Sequence, residues 1–107
     1  MNKSDVVEQI LKKHEEDGWT RRECQQALDT VLEVISDGIA SGERVTLAGF
    51  GTFDKRERAA RTARNPQTGE SVKVRRTSVP GFKASTTLKR YVASSKRDQA
   101  AYRRARG

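Results

Sequence analysis

Residues 49–68, which read GFGTFDKRERAARTARNPQT, carry more information than any other part of the chain. Two glycines frame a phenylalanine, a run dominated by Arg and Lys follows, and the stretch ends in an Asn-Pro turn. Arg58, Arg61 and Arg64 lead to Pro66, and few large apolar residues nearby could bury its ring. A basic, poorly buried segment with a rigid apolar ring at its tip is suited to bind a polyanion that has a groove and stacked planar groups. We therefore expect this stretch to bind DNA.

The same stretch is predicted to open a long β-hairpin. Strands are expected at 44–47 and 52–58, on either side of the Gly49–Gly51 bend. Residues 71–77, SVKVRRT, alternate in polarity and are expected to pair with the run before the turn at 65–69. A hairpin of this length, with two valines as its only large apolar residues, cannot cover itself. It is expected to project into solvent and to be mobile until a ligand binds it.

Two amphipathic helices are predicted before the hairpin. The first covers residues 3–14, with Asn2 or Ser4 as its N-cap and apolar residues at positions 6, 7, 10 and 11. The second begins at Thr20, because Thr20 and Glu23 form the T-x-x-E pattern of a capping box.

An apolar stripe of nearly five turns follows on the second helix, up to Ser41-Gly42. Trp19 precedes the cap and has hydrophobic-staple spacing to Cys24. The stripe is wider than the short first helix can cover, so we expect it to pack against its copy in a dimer. Its members are Cys24, Leu28, Val31, Leu32, Ile35 and Ile39.

After the hairpin, residues 79–82, VPGF, are expected to return the chain to the core, and Ser85 to cap a last helix through Val92. The basic tail, residues 94–107, could extend that helix or stay disordered, and the sequence leaves both open. The tail could add DNA affinity, which we favour, recruit a second duplex, or aid solubility.

The composition sets limits on the class of protein. Only 34% of the 107 residues are hydrophobic, so a monomer would bury little apolar surface, which again favours a dimer. No apolar run approaches the ~20 residues of a membrane span, and the N-terminal MNKSDVVEQI does not resemble a signal peptide. A soluble cytoplasmic protein is therefore expected. The single cysteine, Cys24, allows no intrachain disulfide and is expected to be a buried thiol.

The net charge of +8 is distributed unevenly. Residues 1–54 hold 6 Lys and Arg against 11 Asp and Glu, a net charge of −5. Residues 55–90 hold 11 against 2, a net charge of +9, and residues 91–107 hold 5 against 1, a net charge of +4. The acidic first half and the basic second half indicate that the folded body and the binding surface are separate parts of the chain. Nucleic acid is favoured over a membrane as the partner of the basic part.

These residues resemble those of the bacterial HU/IHF family of histone-like, DNA-bending proteins. The resemblance covers roughly residues 1–92 and includes RNPQTGE at 64–70 and VPGF at 79–82. VPGF favours the HU type, which has little sequence preference, while a sequence-preferring IHF-like subunit remains an alternative. The segment 14–19, HEEDGW, makes the turn between the first two helices longer than is usual in the family. The matching positions are Gly49-Phe50, Phe53, Arg58, Arg61, Ala63, Asn65-Pro66 and Thr68.

The resemblance implies an α+β fold that forms an intertwined homodimer. The expected elements are two N-terminal helices, a three-stranded antiparallel sheet extended into a long β-ribbon arm at about 55–76, and a short C-terminal helix. Residues 1–93 would form the DNA-binding domain, and the tail beyond about Val92 lies outside the family's common domain. In the family the arms embrace the minor groove of double-stranded DNA, and the proline at the arm tip, here Pro66, intercalates between base pairs. The implied function is the bending and compaction of chromosomal DNA in the bacterial nucleoid.

The predicted DNA-binding residues fall into three groups. The arm supplies Arg58, Arg61, Arg64, Asn65, Pro66 and Gln67. The basic surface continues toward the body through Lys73, Arg75, Arg76 and Lys83. Weaker candidates are Lys3, Lys55, Arg56 and Lys89.

Other functions find less support in the sequence. An RNA-binding or ribosome-associated protein is the main alternative, and RNA could be a secondary ligand. Gly49-Phe50-Gly51 lacks the Lys-Ser/Thr of a phosphate-binding loop, so a tight bend is expected there, with Phe50, Phe53 and Phe82 in the core. His14 has no metal-ligand partners at suitable spacing, and no nucleophile–base pair or carboxylate dyad is visible. We therefore expect no catalytic residue, no metal and no cofactor.

Overall fold

The computed structural model describes residues 1–106, and the chain divides into two compact units, Met1–Asp37 and the part from Gly38 onward. The predicted α+β order of helices, sheet, arm and C-terminal helix is confirmed. In chain order the elements are α1 (Lys3–Lys13), a 3-10 turn (Glu15–Asp17), α2 (Arg21–Ala40), β1 (Val45–Leu47), β2 (Gly51–Arg58), β3 (Arg61–Arg64), β4 (Ser71–Val74), β5 (Thr77–Ala84), α3 (Thr86–Ala93) and α4 (Lys96–Ala105).

The start of α1 is fixed by a complete capping box. The Asn2 side chain accepts a hydrogen bond from the Asp5 amide at 3.1 Å, and the Asp5 carboxylate accepts one from the Asn2 amide at 2.8 Å. Of the two predicted caps, Asn2 and Ser4, the chain therefore uses Asn2. Two ion pairs join α1 to α2: Lys3 with Asp29, and Arg21 with Glu8.

The long turn between α1 and α2 is stabilised by aromatic stacking. The His14 and Trp19 rings lie 3.7 Å apart and are inclined by 10°. His14 Nδ1 also lies 2.8 Å from the Asp17 carboxylate, and Gly18 takes the left-handed conformation with φ +73°. Trp19 thus stacks on His14, a partner that the staple spacing to Cys24 did not predict.

Helix α2 begins at Arg21 and is capped by the predicted Thr20, whose hydroxyl oxygen accepts from the Glu23 amide at 3.1 Å. Cys24 is completely buried, as predicted, whereas Val31 is 51% and Leu32 46% exposed. Among the described residues, Val7 and Cys24 are the only buried members of the hydrophobic core. The half-buried members of the stripe are Leu28, Ile35 and Ile39. The apolar stripe of α2 is therefore only partly covered within residues 1–106.

The second unit contains an antiparallel sheet with the strand order β1-β2-β5. Residue pairs such as Val45 with Phe53 and Phe53 with Phe82 face each other across the strands. Partner residues share a face of the sheet, so one face is apolar at these positions. Pro80 lies in β5, which is an edge strand, where the missing amide hydrogen removes no hydrogen bond inside the sheet.

The predicted single strand over 71–77 is wrong, because the backbone leaves the ladder at Arg75-Arg76. Residues 71–74 form β4, which pairs with β3 in a separate two-stranded sheet, while residues 77–84 form β5. The sequence 79–82, predicted to be a return to the core, is therefore the middle of a strand paired with β2. Residues 59–60, which lie opposite Arg75-Arg76, are also unpaired, so both strands of the arm are interrupted at the same point. The register is the same before and after this interruption.

Three phenylalanines cluster at the base of the arm. The ring centroids are 4.7 Å apart for Phe53 and Phe82, 5.5 Å for Phe50 and Phe82, and 6.4 Å for Phe50 and Phe53. Phe50 is 46% and Phe82 42% exposed, so the predicted core position of these two rings is not reached within the single chain. Like the stripe of α2, this cluster needs a covering surface.

The C-terminal region contains two helices rather than the predicted one. Ser85 caps α3 as predicted, since its hydroxyl oxygen accepts from the Leu88 amide at 3.1 Å. The chain is extended at Ser94, and Ser95 then caps α4 by accepting from the Asp98 amide at 3.2 Å. The tail is therefore neither a continuation of α3 nor irregular over the described residues.

Gly51 gives a direct test of the packing beneath the phenylalanines. A Cβ atom at this buried position would lie 2.5 Å from Phe82 Cε1 and 2.6 Å from the Lys83 carbonyl oxygen. We expect Gly51→Ala to lower the free energy of unfolding by about 1–3 kcal/mol, measured by urea denaturation, because a ring and a backbone atom must both move. In the matched variant Gly81→Ala, the atoms nearest to the new Cβ belong to the Arg56 and Asp54 side chains, which can rotate away, so this variant should cost less. An equal or larger loss for Gly81→Ala would contradict this account.

Candidate nucleic-acid interface

The tip of the arm is a tight turn that holds Pro66 outward. The Asn65 amide donates to the Glu70 carbonyl and the Gly69 amide donates to the Asn65 carbonyl, both at 2.8 Å. The Asn65 side chain accepts from the Gln67 amide at 2.9 Å, which closes a local turn around the proline. Gly69 has φ +73°, a conformation that other residues adopt at a cost. Pro66 itself is exposed.

Below the tip, the outer ribbon (residues 61–74, which comprise β3, β4 and their turn) has two different faces. Thr62 lies opposite Lys73 and Arg64 opposite Ser71, so these four residues share a polar, basic face. On the other face, Arg61 lies opposite Val74, and Ala63 lies opposite Val72. The ribbon thus carries cations on both faces and an apolar strip on one.

Most of the arm cations have no acidic partner within residues 1–106. Within residues 1–106, no carboxylate oxygen lies within 4.0 Å of the basic nitrogens of five of them. All five are exposed. This set of unpaired arm cations comprises Arg58, Arg61, Arg64, Lys73 and Arg75.

Other predicted binding residues do have partners in the free protein. Arg56 Nε lies 3.0 Å from the Asp54 carboxylate, and Lys3 Nζ lies 2.6 Å from that of Asp29. Arg76 Nε is 3.9 Å from Glu57, a longer and weaker pair. Lys55 Nζ donates to the Ala40 carbonyl oxygen at 3.4 Å. A nucleic-acid phosphate would have to compete with these contacts, so the structure separates the predicted cations into paired and unpaired sets.

Lys83 lies on the polar face of the three-stranded sheet, away from the outer ribbon. It is opposite Thr52, which is in turn opposite Thr46, so one row of polar side chains crosses all three strands. Lys83 also lines a depression of about 410 Å³ together with Arg44 and the N-terminal residue of α3, Thr86.

Arg44 was missed by the sequence reasoning. It stands two residues before Thr46, so it belongs to the same face when the strand alternation is extended by one step. That periodicity was the available signal, but only the pairing of the strands shows that Arg44 and Lys83 line the same depression. Lys89, the remaining weaker candidate, lies exposed on α3.

Neither a group of metal-ligating side chains nor a membrane-spanning helix is present in the part of the chain that the structure describes. Among residues 1–106, no three His, Cys, Asp or Glu side chains are grouped so that they could hold a metal ion. The helices described by the structure include none that has both the length and the apolar character needed to span a bilayer.

Comparison with known proteins identifies similar chains. The family model described as bacterial DNA-binding protein matches residues 1–93. The chain is 47% identical over 88 residues to DNA-binding protein HU of Lactococcus lactis, an alignment that covers 82% of this chain and 93% of that protein. It is 45% identical over 89 residues to DNA-binding protein HU of Staphylococcus aureus, which covers 83% of this chain and 96% of that protein.

Solved structures give the same result. An Anabaena HU structure crystallised with DNA superposes with a TM-score of 0.79 at 38% sequence identity, covering 89% of this chain and all of that chain. HU from Thermotoga maritima superposes with a TM-score of 0.58 at 28% identity, covering 86% of this chain and 98% of the other.

Proposed function

The chain belongs to the HU family of bacterial DNA-binding proteins, and from this membership we propose that it is an architectural protein that binds, bends and compacts double-stranded DNA. The observation that carries the proposal is the arm, in which unpaired cations flank a ribbon with an exposed proline at its tip. The protein acts as a binding and bending protein rather than as an enzyme. Its place of action is the nucleoid.

The arm cations supply most of the affinity. Arg58, Arg61 and Arg64 carry permanent positive charges and can contact phosphates or enter a narrow minor groove. Because no carboxylate within residues 1–106 pairs with them, no ion pair of the described chain has to be broken before a phosphate binds. Lys73 and Arg75 extend the same surface toward the body. The paired cations Arg56, Lys3 and Arg76, together with Lys55, contribute less.

Pro66 produces the bend. A proline ring inserted between two base pairs replaces part of the lost stacking with apolar contact, and its side chain has little conformational entropy to lose. The hydrogen bond from the Gln67 amide to the Asn65 side-chain oxygen holds the ring at the tip. Unstacking one base step costs a few kcal/mol, which is offset by the larger protein surface that a bent duplex can contact.

The proposed contacts explain a low sequence preference. Phosphate contacts carry no base information, and the minor groove distinguishes mainly A·T from G·C pairs. The arm therefore reads the shape and deformability of the duplex rather than its sequence. This assignment follows the HU type and not the IHF-like alternative, in agreement with the HU names of the relatives described above.

A homodimer provides the two arms that a bend requires. The partly covered stripe on α2 and the half-exposed cluster of Phe50 and Phe82 leave apolar side chains open to solvent within residues 1–106. A second copy that covers both surfaces also places a second Pro66 on the same duplex.

Removing the ring at the tip should separate binding from bending. We expect Pro66→Ala to keep the dimer and most of the affinity but to reduce the bend, measured by energy transfer between dyes on the two ends of a duplex. Pro80→Ala removes the other proline, which lies in an edge strand, and should leave the bend unchanged. Equal energy transfer for wild type and Pro66→Ala would contradict the role of the ring as a wedge.

The salt dependence of binding tests the division of the cations. The slope of log K against log salt is negative, and each phosphate that the protein no longer neutralises should reduce its magnitude by roughly 0.9. Arg61→Ala should therefore make the slope measurably less steep. Arg56→Ala should reduce it less because Asp54 already binds that guanidinium. Arg22→Ala, on the acidic half of the chain, is the control that should leave the slope unchanged.

The same titration also tests the class of ligand. A nicked DNA duplex should bind more tightly than an intact one because the nick lowers the cost of bending. A double-stranded RNA of the same length that bound as tightly as DNA would contradict the proposed function. It would favour the RNA-binding alternative.

A charge within the apolar stripe should disrupt the dimer. We expect Val31→Asp to convert the dimer to monomers in sedimentation velocity and to abolish tight DNA binding, because an aspartate buried at the interface is strongly unfavourable. Thr30→Asp adds the same charge to the polar side of α2 and should leave the dimer intact. A dimer that persisted in Val31→Asp would show that the stripe is not the interface.

A further inference from the structure

Helix α4 is an ordered element outside the part of the chain that matches the family. The family model ends at residue 93, and α4 begins three residues later. Its first turn is capped by Ser95, and Asp98 supplies a negative charge near the helix N-terminus, where the helix dipole favours it.

One face of α4 is fixed to α3 through Tyr91. The Tyr91 and Tyr102 rings lie 5.7 Å apart, and Arg103 Nη1 donates to the Tyr91 hydroxyl oxygen at 2.9 Å. The Arg106 guanidinium lies 5.2 Å from the centre of the Tyr91 ring, within cation–π range. Gln99 Nε2 donates to the Ser94 carbonyl oxygen at 3.2 Å and fixes the start of the same face. The helix therefore has a defined orientation on α3.

This docking divides the basic residues of α4 into two sets. Arg103 and Arg106 are engaged with Tyr91 and point toward α3. Lys96, Arg97 and Arg104 are exposed, and no carboxylate oxygen within residues 1–106 comes within 4.0 Å of their nitrogens.

The unengaged arginines are aligned along the helix. Arg97 and Arg104 are seven residues apart, which places them on one side of the helix about 10 Å apart along its axis. Ala101 lies between them, so no large side chain separates their guanidinium groups. Two aligned, unshielded guanidinium groups suit a row of phosphates, which arginine can bind in a bidentate manner.

We propose that the exposed face of α4, formed by Lys96, Arg97 and Arg104, is an additional phosphate-binding surface for duplex DNA, separate from the arm. The proposal rests on the proposed function, since it assumes that the chain binds DNA. Duplex DNA is favoured over a protein partner because Lys96, Arg97 and Arg104 are all cationic and Ala101 between the arginines offers no large apolar side chain to bury. Tyr91 acts as the positioning residue, and Arg103 and Arg106 anchor the helix instead of contacting phosphate.

The test removes the three exposed cations from the full-length chain. Lys96→Ala, Arg97→Ala and Arg104→Ala are combined, and binding to a DNA duplex is measured over a range of salt concentrations. The magnitude of the slope of log K against log salt should fall by about 0.9 for each phosphate that α4 no longer neutralises, while the energy-transfer signal of bending stays unchanged. Alanine is the strongest helix former, so far-UV circular dichroism should show that α4 remains helical.

Two matched variants complete the experiment. Lys12→Ala, Lys13→Ala and Arg22→Ala remove the same number of exposed positive charges from the other unit, and the slope should remain that of wild type. Arg97→Lys with Arg104→Lys keeps the charge and should retain most of the slope. A control variant that loses as much slope as the α4 variant overturns the proposal, because net charge alone would then explain the loss.

The remaining outcomes distinguish this proposal from the proposed function. An unchanged slope in the α4 variant, with the wild type binding DNA normally, overturns the role of α4 alone. A wild type that binds no DNA overturns the proposed function itself. A change in sedimentation of the α4 variant without DNA, combined with an unchanged slope, also overturns the proposal and assigns the face to protein contacts.

Discussion

The antiparallel pairing of β2 with β5 is the interaction on which the arm depends. One register places Phe53 opposite Phe82 at the base and Arg58 opposite Thr77 at the far end. The same register continues past the unpaired step into β3 and β4, where Arg61 lies opposite Val74. A slip of one residue would turn every side chain to the other face. Packing of the phenylalanines at the base therefore determines which faces of the arm carry the cations.

The second constraint is that the single chain leaves much of its apolar surface uncovered. Within residues 1–106, Val7 and Cys24 are the only buried hydrophobic residues, while Val31, Leu32 and Phe82 are about half exposed. A chain of this composition gains little from folding alone, because the free energy gained by burying apolar area must exceed the entropy cost of ordering the backbone. In the proposed dimer, assembly and folding are therefore linked, and a core shared by two copies would hold the arms in place.

Local sequence signals predicted the helices well, and non-local contacts account for the differences. Thr20 and Ser85 were correctly identified as caps, because a cap depends on residues three positions away. The break at Arg75-Arg76 was missed, since alternation alone does not show where a ladder is interrupted. The Tyr91–Tyr102 contact was also missed, because it requires the chain to turn back at Ser94, which the pattern of neighbouring residues does not show.

The cations illustrate the same limit for the candidate site. The sequence identified which residues are basic, but it could not show that Arg56 meets Asp54 or that Lys3 meets Asp29, contacts that depend on local side-chain geometry and helix packing. Depending on its surroundings, an arginine can be a structural group or an available ligand. Arg103 is bound to the Tyr91 hydroxyl, whereas Arg104 has no carboxylate partner within residues 1–106, so the two show this difference at adjacent positions of one helix. Counting positive charges therefore overstates a phosphate-binding surface, and the pairing of each cation in the free protein is the better guide.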